Sequence, residues 1–260
     1  KNIIQNFPKQ LDYEPIIENA GNFHKKDKFI VCGMGGSNLS AGIIESWKPK
    51  SDIIIHRDYG LPEMEEARLK DYLVIASSYS GNTEETISAF QEAQARLVSL
   101  IVITTSGKLL KLAQEHGTPY IQMPKIDGNP RFAIGYSIKA TLKAMGEESI
   151  LNNISGEITS LKADDYEQVG RELAEKLQNK IPLIYSSGRN TGLARYWKVG
   201  FNETVKIPAF YNFLPELNHN EMVGFDKLTT SGFDSKIFDG KLNYKFAMVF
   251  FNDPDDKPQI

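Results

Sequence analysis

The sequence predicts an α/β protein built on parallel sheets with helices on both faces. Three observations carry this expectation. Strand-like and helix-like segments alternate over most of the first 145 residues. The strand-like runs, such as Leu73-Val74-Ile75-Ala76, are continuously apolar rather than alternating, as strands buried on both faces must be. Loops rich in glycine and small hydroxyls leave several of these runs and open helices. A chain of 260 residues is long enough for two such domains, and a boundary is expected near residue 150, giving domains 1–150 and 151–260.

Taken in order, residues 1–20 read as a surface segment with a short helix over 13–20. A first strand follows over 28–32 and ends in Gly33-Met34-Gly35-Gly36-Ser37. A helix runs through Ile43, Ile44 and Trp47, then a second strand covers 52–56. A third strand covers 71–77, and the helix after its loop runs to about Ala95. Strands over 97–104 and 119–123 bracket a helix over 108–116. A loop with Pro124, Gly128 and Pro130 leads to a helix over 132–145. Residues 149–162 read as a helix-bearing polar linker. The second half opens with a charged helix over 164–179, whose inward positions are expected at Tyr166, Val169, Leu173 and Leu177. A strand over 181–186 then turns through Ser187-Gly188-Arg189-Asn190-Thr191-Gly192 into a helix over 193–205, with Leu193, Tyr196, Trp197 and Gly200 facing in. Strands are expected over 209–213 and 245–251, with a loop or short helix over 215–224. The recurrence of strand, polar glycine loop and helix hints at duplicated domains. Too few strands follow to fill a second sheet, and neither end has the look of a natural terminus.

Composition narrows the function classes. The formal net charge of −3 supplies no basic field for nucleic acid. No apolar run approaches the length of a membrane span, so no membrane role is expected. The single cysteine, Cys32, excludes an internal disulfide framework and reads as a buried thiol, in keeping with a cytoplasmic setting. The four histidines, His24, His56, His116 and His219, have no second ligand at zinc-binding spacing, so no metal is expected.

The stretch that organises the chain is Ser77-Ser78-Tyr79-Ser80-Gly81-Asn82-Thr83-Glu84-Glu85-Thr86. Hydroxyls and backbone N–H groups at a helix N-terminus bind anions, phosphate above all. Ordinary turn chemistry and a capping box from Asn82 to Glu85 explain part of it. They leave Ser78, Ser80 and Thr83 unexplained. Gly33-Met34-Gly35-Gly36-Ser37-Asn38 begins like a dinucleotide fingerprint with Asp58 as the ribose acid, but Asn38 stands at the third glycine position. Thr105-Ser106-Gly107-Lys108 resembles a P-loop tail, yet Val102 replaces the upstream glycine, which leaves a turn and helix start. No Gly-x-Ser-x-Gly elbow surrounds Ser78 or Ser80. By themselves, Glu203 reads as a surface carboxylate near Lys206, Arg131 as a loop–helix arginine, and His219 as a solvated loop histidine.

Together, the glycine loop 33–37 and the hydroxyl loop 78–86 resemble a sugar isomerase (SIS) domain. With Pro130-Arg131, Asn202-Glu203 and Glu216-x-x-His219-Asn220, the chain is similar to the bifunctional phosphoglucose/phosphomannose isomerase family. The resemblance implies two SIS domains of flavodoxin-like three-layer architecture, the second one incomplete. It implies that Ser37, Ser78, Ser80 and Thr83 bind a sugar phosphate beside Gly35 and Gly36. Glu203 would move a proton between C1 and C2 through a cis-enediol, Arg131 would stabilise the enediolate, and His219 would assist ring opening from the partner subunit of a homodimer. Glu84 and Glu85 would point away from the phosphate, Glu85 back to its cap. No cofactor is implied. The family's C-terminal catalytic lysine has no counterpart before Ile260. Two other readings share these residues: a SIS-type isomerase making glucosamine-6-phosphate, and a non-catalytic sugar-phosphate-binding regulator. The second gives no reason for Glu203 with His219.

Overall fold

The computed structural model describes residues 2–158, 161–225 and 245–256. They form two compact units, Lys1–Gln168 and Val169–Ile260. The division falls later than the expected one. Helix α7 (Glu148–Ile158) buries Leu151 and Ile154 in the core of the first unit, so this segment is part of that unit.

In the first unit a short helix, α1 (Asn2–Gln5), and a 3-10 segment (Phe7–Asp12) precede β1 (Lys28–Cys32). Then come α2 (Leu39–Trp47), β2 (Asp52–His56), the one-turn α3 (Glu66–Leu69), β3 (Tyr72–Ser78) and α4 (Glu84–Ala95). β4 (Leu100–Thr104), α5 (Gly107–Glu115), β5 (Tyr120–Gln122) and α6 (Ile134–Ala144) complete the order before α7. All five strands are parallel, in the order β2-β1-β3-β4-β5. That is the flavodoxin-like order, whose crevice opens between β1 and β3, where successive connections leave in opposite directions.

Because side chains alternate across a strand, each central strand feeds two cores. Phe29, Val31, Leu73, Ile75, Ile101 and Ile103 meet Ala41, Ile44, Leu142 and Met145 on one face. Ile30, Cys32, Val74, Ala76 and Val102 meet Ile87, Phe90 and Leu109 on the other. The result is three layers, helix, sheet and helix, with Cys32 buried.

The second unit repeats the start of this plan. Helix α8 (Glu167–Leu177) leads into β6 (Ile181–Ser187), a 3-10 turn (Gly188–Asn190) and α9 (Thr191–Gly200). β7 (Phe210–Leu214) and β8 (Phe246–Phe250) flank β6 in the parallel order β7-β6-β8. This is the β2-β1-β3 arrangement of the first unit.

Four expectations need correction. Residues 13–18 are not helical: Pro15 disfavours helix at Glu14, and Glu18 pairs instead with the edge strand at Tyr120. Tyr166 and Val169 are 61% and 63% exposed, and only Leu177 of that stripe is buried, where a short connection carries it onto β6. On α9 the buried positions are Ala194 and Val199, with the expected inward residues half-buried beside them. The helix also does not continue as α-helix to residue 205. Its last turn, Phe201–Val205, is π-helical and ends at Lys206 in the left-handed region, φ 62°.

Candidate functional site

The crevice between β1 and β3 is where the two marked loops meet. Ser37, in the 3-10 turn Gly35–Asn38 after β1, accepts a hydrogen bond from Tyr79 N on its Oγ at 3.0 Å. Its carbonyl accepts one from Ser77 Oγ at 2.8 Å. Ser78, fully buried, shares a 2.8 Å hydrogen bond with Thr83 Oγ1, and its Oγ accepts from Gly81 N at 3.1 Å. Exposed Ser80 accepts from Asn82 N at 3.2 Å. The Ser78 and Thr83 hydroxyls are thus bonded to each other, and Ser37 joins the same loop through the Tyr79 backbone, with Ser80 exposed beside them.

The opening of α4 borders this loop. Thr83 is its N-cap residue but makes no side-chain capping bond, because its hydroxyl is held by Ser78. The first-turn N–H groups of a 12-residue helix therefore lack a side-chain cap at the end of β3, with the positive end of the helix dipole behind them. The capping box is not formed. Asn82 Oδ1 instead accepts from Lys108 N at 3.0 Å, at the start of α5. Glu85 does not return to a cap either. Glu85 foremost, with burial and a hydrogen-bonded Glu84, pushes the pKa of the Tyr59 hydroxyl above its ordinary value.

Glycines make close approaches here, Gly81 and Gly36 among them. Gly81 has φ +69°, and a Cβ there would run into the Ser106 carbonyl. At Gly36 a Cβ would lie 3.3 Å from Arg131 N, so the β1 loop rests against the backbone of Pro130 and Arg131. Arg131 is itself 7% exposed, with its guanidinium 5.0 Å from the centre of the Phe132 ring. The structure thus brings the loop bearing Arg131 to the glycine loop.

Sequence reasoning missed Ser77 and Thr105. Thr105 Oγ1 donates to Tyr79 O at 2.7 Å and so props the hydroxyl loop from β4. Its only signal is adjacency of β3 and β4, which the order along the chain does not state. Asp58 accepts from Tyr59 N at 2.8 Å in a local turn.

In the second unit, Glu203 sits on the π-helical turn. Its neighbour Asn202 accepts from Ala209 N at 2.8 Å, tying the turn to the start of β7. π-turns interrupt the helical face and are frequent at functional sites. His219 is exposed and ends the 3-10 turn Glu216–His219. The loop after β6 is the counterpart of the glycine loop after β1, but an internal carboxylate fills it. Asn190 Nδ2 donates to Asp253 Oδ2 at 2.8 Å, and Arg189 lies 3.9 Å from the same oxygen. The Asn190 bond, then the Asp255 N–H, holds the Asp253 carboxyl below its ordinary range, aided by Arg189.

A parallel sheet of this order with a hydroxyl-rich loop at its switch point is consistent with a sugar isomerase domain. Residues 167–260 match the family model for the bacterial phospho-glucose isomerase C-terminal SIS domain. The chain is 33% identical over 232 residues to a bifunctional phosphoglucose/phosphomannose isomerase of Aquifex aeolicus, covering 86% of this chain and 69% of that one. It is 36% identical to a protein of the same name from Caldicellulosiruptor bescii, covering 76% and 62%. The fold is shared with the C-terminal domain of glucosamine-fructose-6-phosphate aminotransferase from Francisella tularensis, at TM-score 0.62 and 15% identity over 86% of this chain and 72% of that one. The chain belongs to the bifunctional phosphoglucose/phosphomannose isomerase family, and spans about two thirds of the length of these curated relatives.

Proposed function

We propose that this protein is an aldose–ketose isomerase that interconverts glucose-6-phosphate, and also mannose-6-phosphate, with fructose-6-phosphate. The observation that carries the reading is the loop at the uncapped start of α4, where Ser78 and Thr83 share a hydroxyl bond and Ser37 holds the Tyr79 backbone, with Ser80 exposed beside them. It suits a phosphate dianion, the part of the substrate remote from the reacting carbons. Binding energy gathered there can hold C1 and C2 in place for chemistry. Glu203 takes the proton from C2 of the aldose and returns it to C1 through a cis-enediol. Such a positioned base is worth roughly 10²–10⁴-fold. Arg131 stabilises the enediolate as a fixed cation. His219 opens the sugar ring, reaching the site of a second copy in a homodimer, and its exposure in its own unit supports that role. The same reading puts the enzyme in the cytoplasm, in glycolysis or gluconeogenesis.

The test is incubation with fructose-6-phosphate, following glucose-6-phosphate and mannose-6-phosphate separately. Both are expected to form, and Glu203→Gln is expected to lower turnover by roughly 10²-fold or more while phosphate binding persists. Turnover of Glu203→Gln at the wild-type rate would show that another group is the base.

A further inference from the structure

We infer that Glu221 is a positioning residue for His219, acting through Tyr185 and Asn212. The inference rests on the reading of His219 as the ring-opening group. Each oxygen of the Glu221 carboxylate receives one donor. Tyr185 OH donates to Oε1 at 2.6 Å, and Asn212 Nδ2 donates to Oε2. Tyr185 lies fully buried on the central strand β6, and Asn212 stands beside it on β7, as the registered partner across the ladder. One carboxylate two residues beyond His219 thus staples its segment to two strands.

The other side of His219 is anchored as well. Leu217 is fully buried and packs with Leu183 and Tyr185. Between the two anchors lie Asn218, His219 and Asn220. Asn220 is held too, donating through Nδ2 to Glu216 Oε1 at 3.0 Å and accepting from Glu221 N. His219 is therefore presented, exposed, on a turn whose ends are both fixed. Burial alone would be met by phenylalanine at 185 and an apolar residue at 221. Charge-assisted hydrogen bonds fix direction as well as position. A proton-transfer group needs that direction, since a displacement of about 1 Å can cost on the order of 10²-fold in rate.

The experiment uses Tyr185→Phe, Glu221→Gln and Glu221→Ala in the intact protein. Readouts are steady-state turnover of fructose-6-phosphate and the NMR ring signals of the four histidines. Tyr185→Phe removes one hydroxyl and keeps the ring that packs edge-on against Phe250 at 5.4 Å, so it preserves the core. It is expected to move the His219 signal while His24, His56 and His116 stay in place. It should lower kcat by about 10-fold or more with KM within about twofold. Glu221→Gln, which keeps an acceptor, should lose less than Glu221→Ala. A His219 signal unmoved in Tyr185→Phe, or a change only in KM, would overturn the inference. If Glu221→Ala fails to fold, Tyr185→Phe still decides. If the wild-type protein does not turn over fructose-6-phosphate, the isomerase reading falls, and the histidine spectrum alone still tests whether this network sets His219.

Discussion

Gly81→Ala should damage the first unit and its cradle together. Gly81 has φ +69°, where alanine is disfavoured by about 1–2 kcal/mol. The new Cβ would meet the Ser106 carbonyl and stand 2.9 Å from Thr104 Oγ1, so the start of α5 must retreat. That retreat weakens two hydrogen bonds, Leu109 N to Gly81 O at 2.8 Å and Lys108 N to Asn82 Oδ1 at 3.0 Å. Each is worth about 1 kcal/mol net. The lower entropy of the unfolded alanine chain returns about 0.4–1 kcal/mol. The balance is a loss of about 2–4 kcal/mol. The assay is hydrogen exchange of the β3 and β4 amides, together with calorimetric titration of inorganic phosphate. Exchange should speed up by the matching factor and phosphate binding should be lost. A variant within about 0.5 kcal/mol of wild type that still binds phosphate normally would refute the claim that the two loops are packed this tightly.

Further outcomes follow from single groups. Ser78→Ala removes the partner of Thr83 Oγ1 and one acceptor for Gly81 N, and should weaken phosphate binding about tenfold or more with only a modest change in melting temperature, read by the same titration. Cys32 is pushed up to about 12 by burial, with Glu92 adding to it, so a thiol reagent at pH 8 should label it only as fast as the first unit opens. Asp253 has a depressed carboxyl in the folded state, so its contribution is present above its unfolded value near about 4 and fades as pH falls through the folded one. Wild type and Asp253→Asn should therefore differ in melting temperature at pH 7 and converge in acid; a constant gap would show that the difference is not electrostatic.

The strands and the hydroxyl loop were legible because their causes are local. A continuous apolar run flanked by glycine needs no partner to declare itself, and β1, β2 and β3 fall within a residue of expectation. The placing of a buried thiol at Cys32 is of the same kind. Other features depend on which strand lies beside which. Asn82 has the spacing of a cap for its own helix, and only the adjacency of β3 and β4 offers it Lys108 N instead. Glu18 carries no strand signal, because its pairing partner is Tyr120 at the sheet edge. The π-turn at Glu203 is invisible to a 3.6-residue periodicity, since it changes which face of the helix a residue occupies.

What the sequence determined by itself was therefore the class of fold, the phosphate-like loop and the family motif, each a matter of short-range pattern. The tertiary structure alone decided that Ser37 meets the hydroxyl loop at Tyr79, that Asp253 fills the second loop, and that Glu221 bonds to Tyr185 on β6 and Asn212 on β7. The physical reason is that hydrogen-bond partners are assigned by distance in space. A chain in which residues 42 or 63 apart become neighbours does not write that distance in its local pattern.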